Sequence, residues 1–271
     1  MTNFINWLRA NPFYNILILA VYYLLVVLPH EWVGLQTVAV FGHLSRDAYN
    51  ALILTIAVVS LCLYAIPWLL NMRKGTRQKQ QIFYLISTIL LVAYTFKYLF
   101  VINIEVVHFV QYGVFAILCY PLVRNYSLIL IWATMMGSID EGYQYFYLSP
   151  DRTDYYDWND VITNLLGGAL GLVFLRSFEI IGQSLDFKDF IRTKTFYTLL
   201  VFALLFTIII NTNILDWQPT ESSDATFYMV KKVPESWWSV VHPNVTYHVM
   251  LSLEGILVTL GLWVFYRKVG R

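Results

Sequence analysis

The sequence predicts an all-α membrane protein, a polytopic bundle of about eight transmembrane helices. Composition is the first observation: 58% of the 271 residues are hydrophobic, 13% are charged, and the mean hydropathy is +0.59. This is too apolar for an ordinary water-soluble domain. Second, apolar runs recur at about the 20-residue length that crosses roughly 30 Å of hydrocarbon as a helix. Third, Lys and Arg residues cluster in alternate connections.

The apolar runs place the predicted spans in order, at residues 13–32, 49–70, 81–102, 103–123, 126–148, 160–178, 196–215 and 246–266. The third and fourth runs are almost continuous, and Asn103 with Glu105 forms the only polar break between them. Before the first run, the opening residues form an amphipathic pattern that predicts a short interfacial helix, which Pro12 stops.

The basic residues predict the orientation of the bundle. Eight spans gather 13 of the 18 Lys and Arg residues on one side. By the positive-inside rule this side is cytoplasmic, so both termini are predicted inside and all five histidines toward the outer face.

A net charge of +1 gives no electrostatic reason to expect a nucleic acid as partner.

These patterns divide the chain into three predicted units. Residues 1–83 hold the interfacial helix and two spans, 84–178 a central unit of four helices, and 179–271 two more spans joined by an outer loop rich in tryptophan. The tryptophans of that loop are typical of a membrane interface, and a lid over an outer site is the alternative.

Residues 138–171 are the most unusual part of the sequence. Between two apolar segments they carry seven ionisable side chains: Asp140, Glu141, Asp151, Arg152, Asp154, Asp157 and Asp160. Such groups at the end of a membrane helix are costly unless they are hydrated, paired or bound to an ion. The stretch therefore indicates a functional site.

His108 is the candidate proton-transferring group. Glu105, His108 and Tyr112 are spaced three and four apart, so they share one helix face about one turn inside the outer boundary. A lone histidine in a membrane helix usually packs, but one with a carboxylate and a phenol on neighbouring turns suits general acid–base chemistry.

The end of the fifth predicted helix offers carboxylates and an amide together. Asp140 and Glu141 lie four and three residues before Gln144. Two poorly hydrated carboxylates cannot both stay charged cheaply, so either one pKa is raised or a cation sits between them; a hydrated helix end is the alternative. Arg152 follows, and its guanidinium suits either a phosphate group or a structural ion pair.

The sixth predicted helix adds a second polar face. Asp160 and Asn164 are four apart, and the same side continues through glycines that permit close helix packing. Asp157 or Asn159 would make a normal N-cap. Because three consecutive helices have their outer ends here, we expect His108 and the acidic residues at one membrane depth.

Oxygen donors of this kind suit Mg²⁺, Ca²⁺ or Mn²⁺ rather than zinc. The candidate ligands for such a divalent cation are Glu141, Asp140, Asp160 and Asp157. The sequence contains no HExxH, CxxC, GxSxG or phosphate-loop pattern, so zinc protease, redox and serine hydrolase chemistry lack their usual motifs.

The combined pattern resembles the VanZ-like membrane proteins, a family named for a teicoplanin resistance factor. The resemblance covers residues 84–178 and is carried by His108, Phe109, Tyr112, Asp140, Glu141, Gln144, Phe146, Pro150, Arg152, Asp160, Val161, Asn164 and Gly167. Ile104 and Glu105 depart from it, because the family usually has an Asp-Lys pair there. The resemblance implies a multi-pass protein of the bacterial plasma membrane. It also implies remote kinship with enzymes that exchange or cleave phospholipid head groups by means of a histidine and calcium-binding acidic residues.

The leading hypothesis is therefore an enzyme acting on head groups of membrane lipids or of a lipid-linked envelope precursor. His108, Glu141, Asp140 and Asp160 would carry the chemistry, and the substrate would be bound by Arg152, Gln144, Asn164 and Tyr112. One alternative is a protein that binds a lipid or glycopeptide without chemistry. Another is a proton-coupled transporter, for which only Lys97 and Glu254 could continue a polar path inward.

Overall fold

The computed structural model describes residues 1–41, 43–71, 78–100, 103–148, 155–183, 187–216, 226–229, 237–238 and 246–269. The architecture is helical, as predicted. Its helices are α1 (Thr2–Ala10), α2 (Pro12–Tyr22), α3 (His30–Phe41), α4 (Arg46–Asn71), α5 (Gln78–Tyr98), α6 (Val107–Val123), α7 (Tyr126–Tyr143), α8 (Trp158–Ser177), α9 (Phe187–Phe190), α10 (Lys194–Asn211) and α11 (Ser252–Tyr266).

Two pairs of very short strands accompany the helices in the described part of the chain. β1 (Leu215–Asp216) pairs in parallel with β2 (Phe227–Tyr228), and β3 (Trp237–Trp238) pairs antiparallel with β4 (Thr246–Tyr247). With two residues each, these strands close loops and do not form a separate layer.

Four described helices are long and apolar enough to cross a membrane: Asp47–Ile66, Lys79–Tyr98, Ile104–Val123 and Trp158–Ser177. A fifth span results if α1 and the helix Pro12–Val27, which meet at a bend of 109°, are counted together. The eight predicted spans are thus not confirmed. The apolar helices Lys194–Ile209 and Leu253–Tyr266 are shorter. The last turn of α7 carries Asp140 and Glu141, and these two acidic residues lower the average hydropathy of the helix.

Several predicted boundaries agree with the structure. The polar break at Asn103 and Glu105 becomes a 3-10 turn, Asn103–Val106, between α5 and α6. The predicted opening helix is α1, and Pro12 begins the next helix, where its missing N–H costs nothing. Helix α3 was not predicted as a separate helix, because it begins at the end of the first predicted span, 13–32, and continues into the connection that follows.

Helix α8 forms the centre of the bundle. Nearly all of its residues are buried, and α5, α6, α7 and α11 pack around it. Glycines set the closest approach: a Cβ atom at Gly167 would lie 2.8 Å from the carbonyl oxygen of His108, and one at Gly171 would overlap the carbonyl oxygen of Gly113. The close packing predicted from the glycine run is therefore confirmed.

The two ends of the bundle differ in chemistry. One end, called the site end, is formed by the last turn of α5, the first turn of α6, the last turn of α7 and the first turn of α8. The opposite end, called the basic end, collects most of the described cations. There the Arg9 guanidinium donates a hydrogen bond to the Tyr120 hydroxyl at 2.7 Å, which holds α1 against α6.

Candidate functional site

His108 lies in the first turn of α6 with its imidazole buried between helices. Its Nδ1 is 2.8 Å from Oδ1 of Asn164, and its Nε2 is 3.8 Å from Oδ2 of Asp160. An amide oxygen only accepts, so the Nδ1–H donates to Asn164. In the neutral ring this fixes Nε2 as the nitrogen with the lone pair, and Nε2 faces the carboxylate of Asp160.

The helix geometry explains this arrangement. Asp160 and Asn164 lie one turn apart on α8, as their spacing predicted. Gly167, one turn further, lets the backbone of His108 come close enough for the imidazole to reach both. Gly137 of α7 does the same from the other side, since a Cβ there would lie 2.9 Å from the Asn164 side chain. Asn164 is thus wedged between α6 and α7.

Glu141 also lies beside Asp160, the carboxylate that the His108 imidazole faces. Its side chain is buried and close to Asp160, and its Oε1 accepts a hydrogen bond of 3.0 Å from the backbone N–H of Asp157. Asp157 in turn caps α8, because its Oδ1 accepts from the N–H of Asn159 at 2.8 Å. Of the two predicted caps, Asp157 is therefore the one used.

Asp140 and Glu141 point to different surroundings, as adjacent residues on a helix do. Asp140 is fully buried beside the phenols of Tyr112 and Tyr23, deeper in the bundle. The Tyr23 hydroxyl donates to the carbonyl oxygen of Met136 at 2.8 Å. The expected pairing of the two carboxylates at one point is therefore replaced by two separate acidic positions.

Gln144 opens a π-helical turn, Gln144–Leu148, that ends the α7 segment. Its Nε2 is buried and finds no hydrogen-bond partner among the residues that the structure describes. Arg152, with its neighbours Asp151 and Asp154, lies outside the described residues, so the substrate-binding role of Arg152 stays a prediction.

The acidic residues do not form a cation site in the described part of the chain. There, no three His, Cys, Asp or Glu side chains are placed so that they could share a metal ion. Asp157 is used as a helix cap, and Asp140 lies among phenols. The divalent-cation site predicted from Glu141, Asp140, Asp160 and Asp157 does not fit this geometry, and no chemical step is derived from it.

Asn159 is a residue whose role the sequence did not show. Its Nδ2 donates to the carbonyl oxygens of Leu99 (3.2 Å) and His248 (2.7 Å), and its Oδ1 accepts from the N–H of Met250 (3.1 Å). It therefore ties the start of α8 to the end of α5 and to the segment before α11. An asparagine between Trp158 and Asp160, at the entry to a predicted span, was the only signal.

Tyr156 closes the site from the link between α7 and α8. Its hydroxyl donates to the carbonyl oxygen of Ser138 at 2.9 Å. Burial, with the nearby Glu141 carboxylate as a second cause, raises the pKa of Tyr156 well above the usual value of a phenol. The phenol therefore stays protonated near neutral pH and remains a hydrogen-bond donor.

The described parts of the C-terminal unit cover this link. The backbone N–H of Tyr156 donates to the carbonyl oxygen of Met229 at 2.8 Å. The N–H of Met229 donates in turn to the carbonyl oxygen of Asp216 at 2.9 Å. Tyr156 and Met229 also belong to one apolar cluster with Tyr145, Tyr155, Val161 and Leu215. The lid predicted for residues 216–244 falls largely outside the described residues, so it stays a prediction.

A second histidine–carboxylate pair lies at the site end. The Nε2 of His248 is 2.8 Å from Oε1 of Glu254, and both side chains are about half exposed. Glu254 lies in the first turn of α11, and Lys97 in the last turn of α5. Both residues proposed to extend a proton path inward are therefore at the same end as His108.

Comparisons with models of known protein families, with characterised proteins and with solved structures find no match for this chain. The VanZ-like resemblance of residues 84–178 therefore stays a prediction from the sequence motif.

Proposed function

We propose that this protein is a membrane-embedded enzyme that acts on a phosphoester or related head-group linkage of a membrane or cell-envelope lipid. The observation that carries the proposal is the oriented His108 imidazole. The Nδ1–H of His108 donates a hydrogen bond to Asn164, and the basic Nε2 of His108 faces Asp160. General base catalysis uses an unprotonated imidazole nitrogen, and the bond to Asn164 keeps Nε2 in that form.

In this proposal the Nε2 of His108 takes the proton from the attacking hydroxyl group or water. As the attacking oxygen bonds to phosphorus, the bond from phosphorus to the leaving oxygen breaks, and the imidazolium returns the proton to that oxygen. The imidazolium that forms is stabilised by the Asp160 carboxylate at 3.8 Å. Asn164 prevents the ring from turning, as orienting partners of catalytic histidines do. Glu141, whose Oε1 accepts a hydrogen bond from the backbone N–H of Asp157, lies beside Asp160.

The depth of the site supports a lipid as substrate. His108 follows the start of the apolar helix Ile104–Val123 by about one turn, and Asp160 lies in the first turn of Trp158–Ser177. Head groups and ester linkages lie at this level when a helix crosses a membrane. The guanidinium of Arg152 would bind the phosphate through its N–H donors, in line with the VanZ-like motif.

We place the site end outside the cell, with both termini inside and eight membrane-embedded segments. The support is the charge distribution, because Lys79, Arg124, Arg176, Arg267 and Lys268 all lie at the basic end. From the VanZ-like resemblance of residues 84–178 we also propose the bacterial plasma membrane as the location of the protein and a link to teicoplanin resistance.

The test is lipid and envelope-precursor analysis of cells that make either the wild-type protein or His108→Gln. Glutamine keeps a polar side chain but supplies no base, so the accumulated or depleted lipid class should return to the level of cells without the protein. His248→Gln is the matched control, because that exposed histidine lies at the same end outside the proposed site. Equal lipid profiles for the wild type and His108→Gln, at equal membrane abundance, would remove the catalytic role and favour a binding protein.

A further inference from the structure

Exposed aromatic rings lie on both sides of the bend between the first helix, α1, and the first apolar span. The helix Pro12–Val27 meets α1 at a bend of 109°. Phe4 and Trp7 on α1, and Phe13 and Tyr14 on α2, leave between 44% and 72% of their surface exposed. A group of large exposed rings at one place indicates a surface that binds an apolar partner.

Helix α1 has three different faces. Ile5 and Leu8, three residues apart, are buried against the bundle. Phe4 and Trp7 have the same spacing and share one exposed flank. Asn6 comes one residue before Trp7, so it is exposed about 100° around the helix from that ring. An exposed aromatic flank beside an exposed polar flank is typical of a helix that lies along a membrane interface.

The aromatic flank of α1 continues into the first span. The ring of Trp7 stacks on the ring of Tyr14 with the centroids 6.3 Å apart, and Phe13 meets Tyr14 edge-on at 5.7 Å. Phe13 shares a helix face with the exposed Ile16 and Leu17, three and four residues further along α2. The surface is therefore continuous with the apolar face that acyl chains cover where α2 crosses a membrane.

Arg9 holds α1 in this position. Its guanidinium donates a hydrogen bond to the Tyr120 hydroxyl at 2.7 Å and lies 5.2 Å from the centre of the Tyr120 ring. The Tyr120 hydroxyl donates in turn to the carbonyl oxygen of Ile181 at 2.8 Å. Helix α1 is thus fixed to the bundle through its inner face, and its aromatic flank is left for a partner outside the bundle.

The level of the rings indicates that this partner is the lipid bilayer. Tyr120, which Arg9 contacts, lies in the last turn of α6, so α1 lies where the apolar helix Ile104–Val123 leaves the membrane. Tryptophan and tyrosine concentrate at this level of membrane proteins. A path of α1 into the hydrocarbon, as half of a broken span, would remove the exposed Asn3 and Asn6 from water at a high cost.

We propose that α1 docks into the membrane interface through four aromatic rings, those of Phe4, Trp7, Phe13 and Tyr14. The helix lies in the plane of the bilayer, with these rings at the boundary between head groups and acyl chains and the polar flank in water. Because Arg9 ties α1 to α6, the docking also sets the depth at which α6 crosses the bilayer, and with it the level of His108.

The experiment is spin-label EPR of the full chain in nanodiscs of phosphatidylcholine and phosphatidylglycerol. Single labels are attached to Trp7→Cys and to Asn6→Cys, each in a Cys62→Ser and Cys119→Ser background. The native Cys62, exposed within the apolar helix Asp47–Ile66, is labelled in Cys119→Ser and marks the hydrocarbon. The label at position 7 should be severalfold more accessible to oxygen, which concentrates in the bilayer, than to a water-soluble nickel chelate. The label at position 6 should show the reverse.

Two further samples make the result decisive. Phe13→Cys places the label on α2 and should show the same preference for oxygen, so the test does not depend on the folding of Trp7→Cys alone. Adding His108→Gln to the variant labelled at position 7 should leave its accessibility unchanged. The measurement uses no substrate, so failure of the proposed enzyme function and failure of the docking surface are distinguishable.

Equal accessibility of positions 6 and 7 to the nickel chelate would overturn the proposal, because the aromatic flank would then lie in water. A label at position 7 as deep in the bilayer as the label at Cys62 would also overturn it, because α1 would then be half of a broken span.

Discussion

The Nδ1 of His108 and the Oδ1 of Asn164 are 2.8 Å apart across the contact between α6 and α8. The bond decides which imidazole nitrogen can act as a base, and the contact exists because glycines bring the two helices together. It therefore links the packing of the bundle to the chemistry proposed for it.

Asn164→Ala should lower turnover of the lipid substrate by about 10- to 100-fold, the usual cost of losing a partner that orients a functional histidine. The reason is that the ring is then free to choose the other tautomer. The effect should fall on kcat and leave KM nearly unchanged, because Asn164 acts through His108. A change in KM alone, with kcat intact, would instead place Asn164 in direct contact with the substrate.

Gly167→Ala should destabilise the protein by about 1–3 kcal/mol, since the added methyl group would lie 2.8 Å from the His108 carbonyl oxygen and the helices must separate. The measurement is denaturant unfolding in detergent. Gly261→Ala is the control, because a Cβ there meets nothing within 4 Å and alanine favours a helix. Similar unfolding free energies for the two variants would contradict the close contact.

Asn159→Ala should cost about 3 kcal/mol of unfolding free energy, because three hydrogen bonds are lost and backbone groups of Leu99, His248 and Met250 lose a partner. Hydrogen exchange should rise at the Met250 amide more than in the middle of α8. Asn211→Ala, on an exposed surface, should change neither quantity. Unchanged exchange at Met250 would disprove the bridge.

Tyr156 should make stability fall at alkaline pH. The pKa of Tyr156 is raised in the folded state. The contribution of the neutral phenol to the free energy of unfolding is therefore fully present below the unfolded-state pKa near 10 and is lost as the pH rises above that value. Above pH 10 the wild type should lose stability faster than Tyr156→Phe by about 1.4 kcal/mol per pH unit. Parallel slopes from pH 9 to pH 11 would show that the phenol is not held in its neutral form.

Local spacing predicted the parts of the site that lie on one helix or on helices in close contact. Asp160 and Asn164 share a face because they are four residues apart, and the glycine at 167 indicated that this face meets a neighbour. The helical class and the break near Asn103 followed from composition and from a single polar interruption.

Contacts between distant segments could not be predicted in the same way. Asn159 binds Leu99, His248 and Met250, and nothing in the local sequence around Trp158 shows where those backbone groups lie. The shared cation site failed for a related reason. Counting carboxylates does not reveal that one of them, Asp157, is used as a helix cap.

The central claim is that His108 and Asp160 act as one unit, and a double-mutant cycle on lipid turnover tests it most directly. His108→Gln should lower turnover by about 10²- to 10⁴-fold. Adding Asp160→Asn should lower it little further, since the acid works through the imidazole. Losses that multiply in the double variant, or wild-type turnover in His108→Gln, would contradict the account.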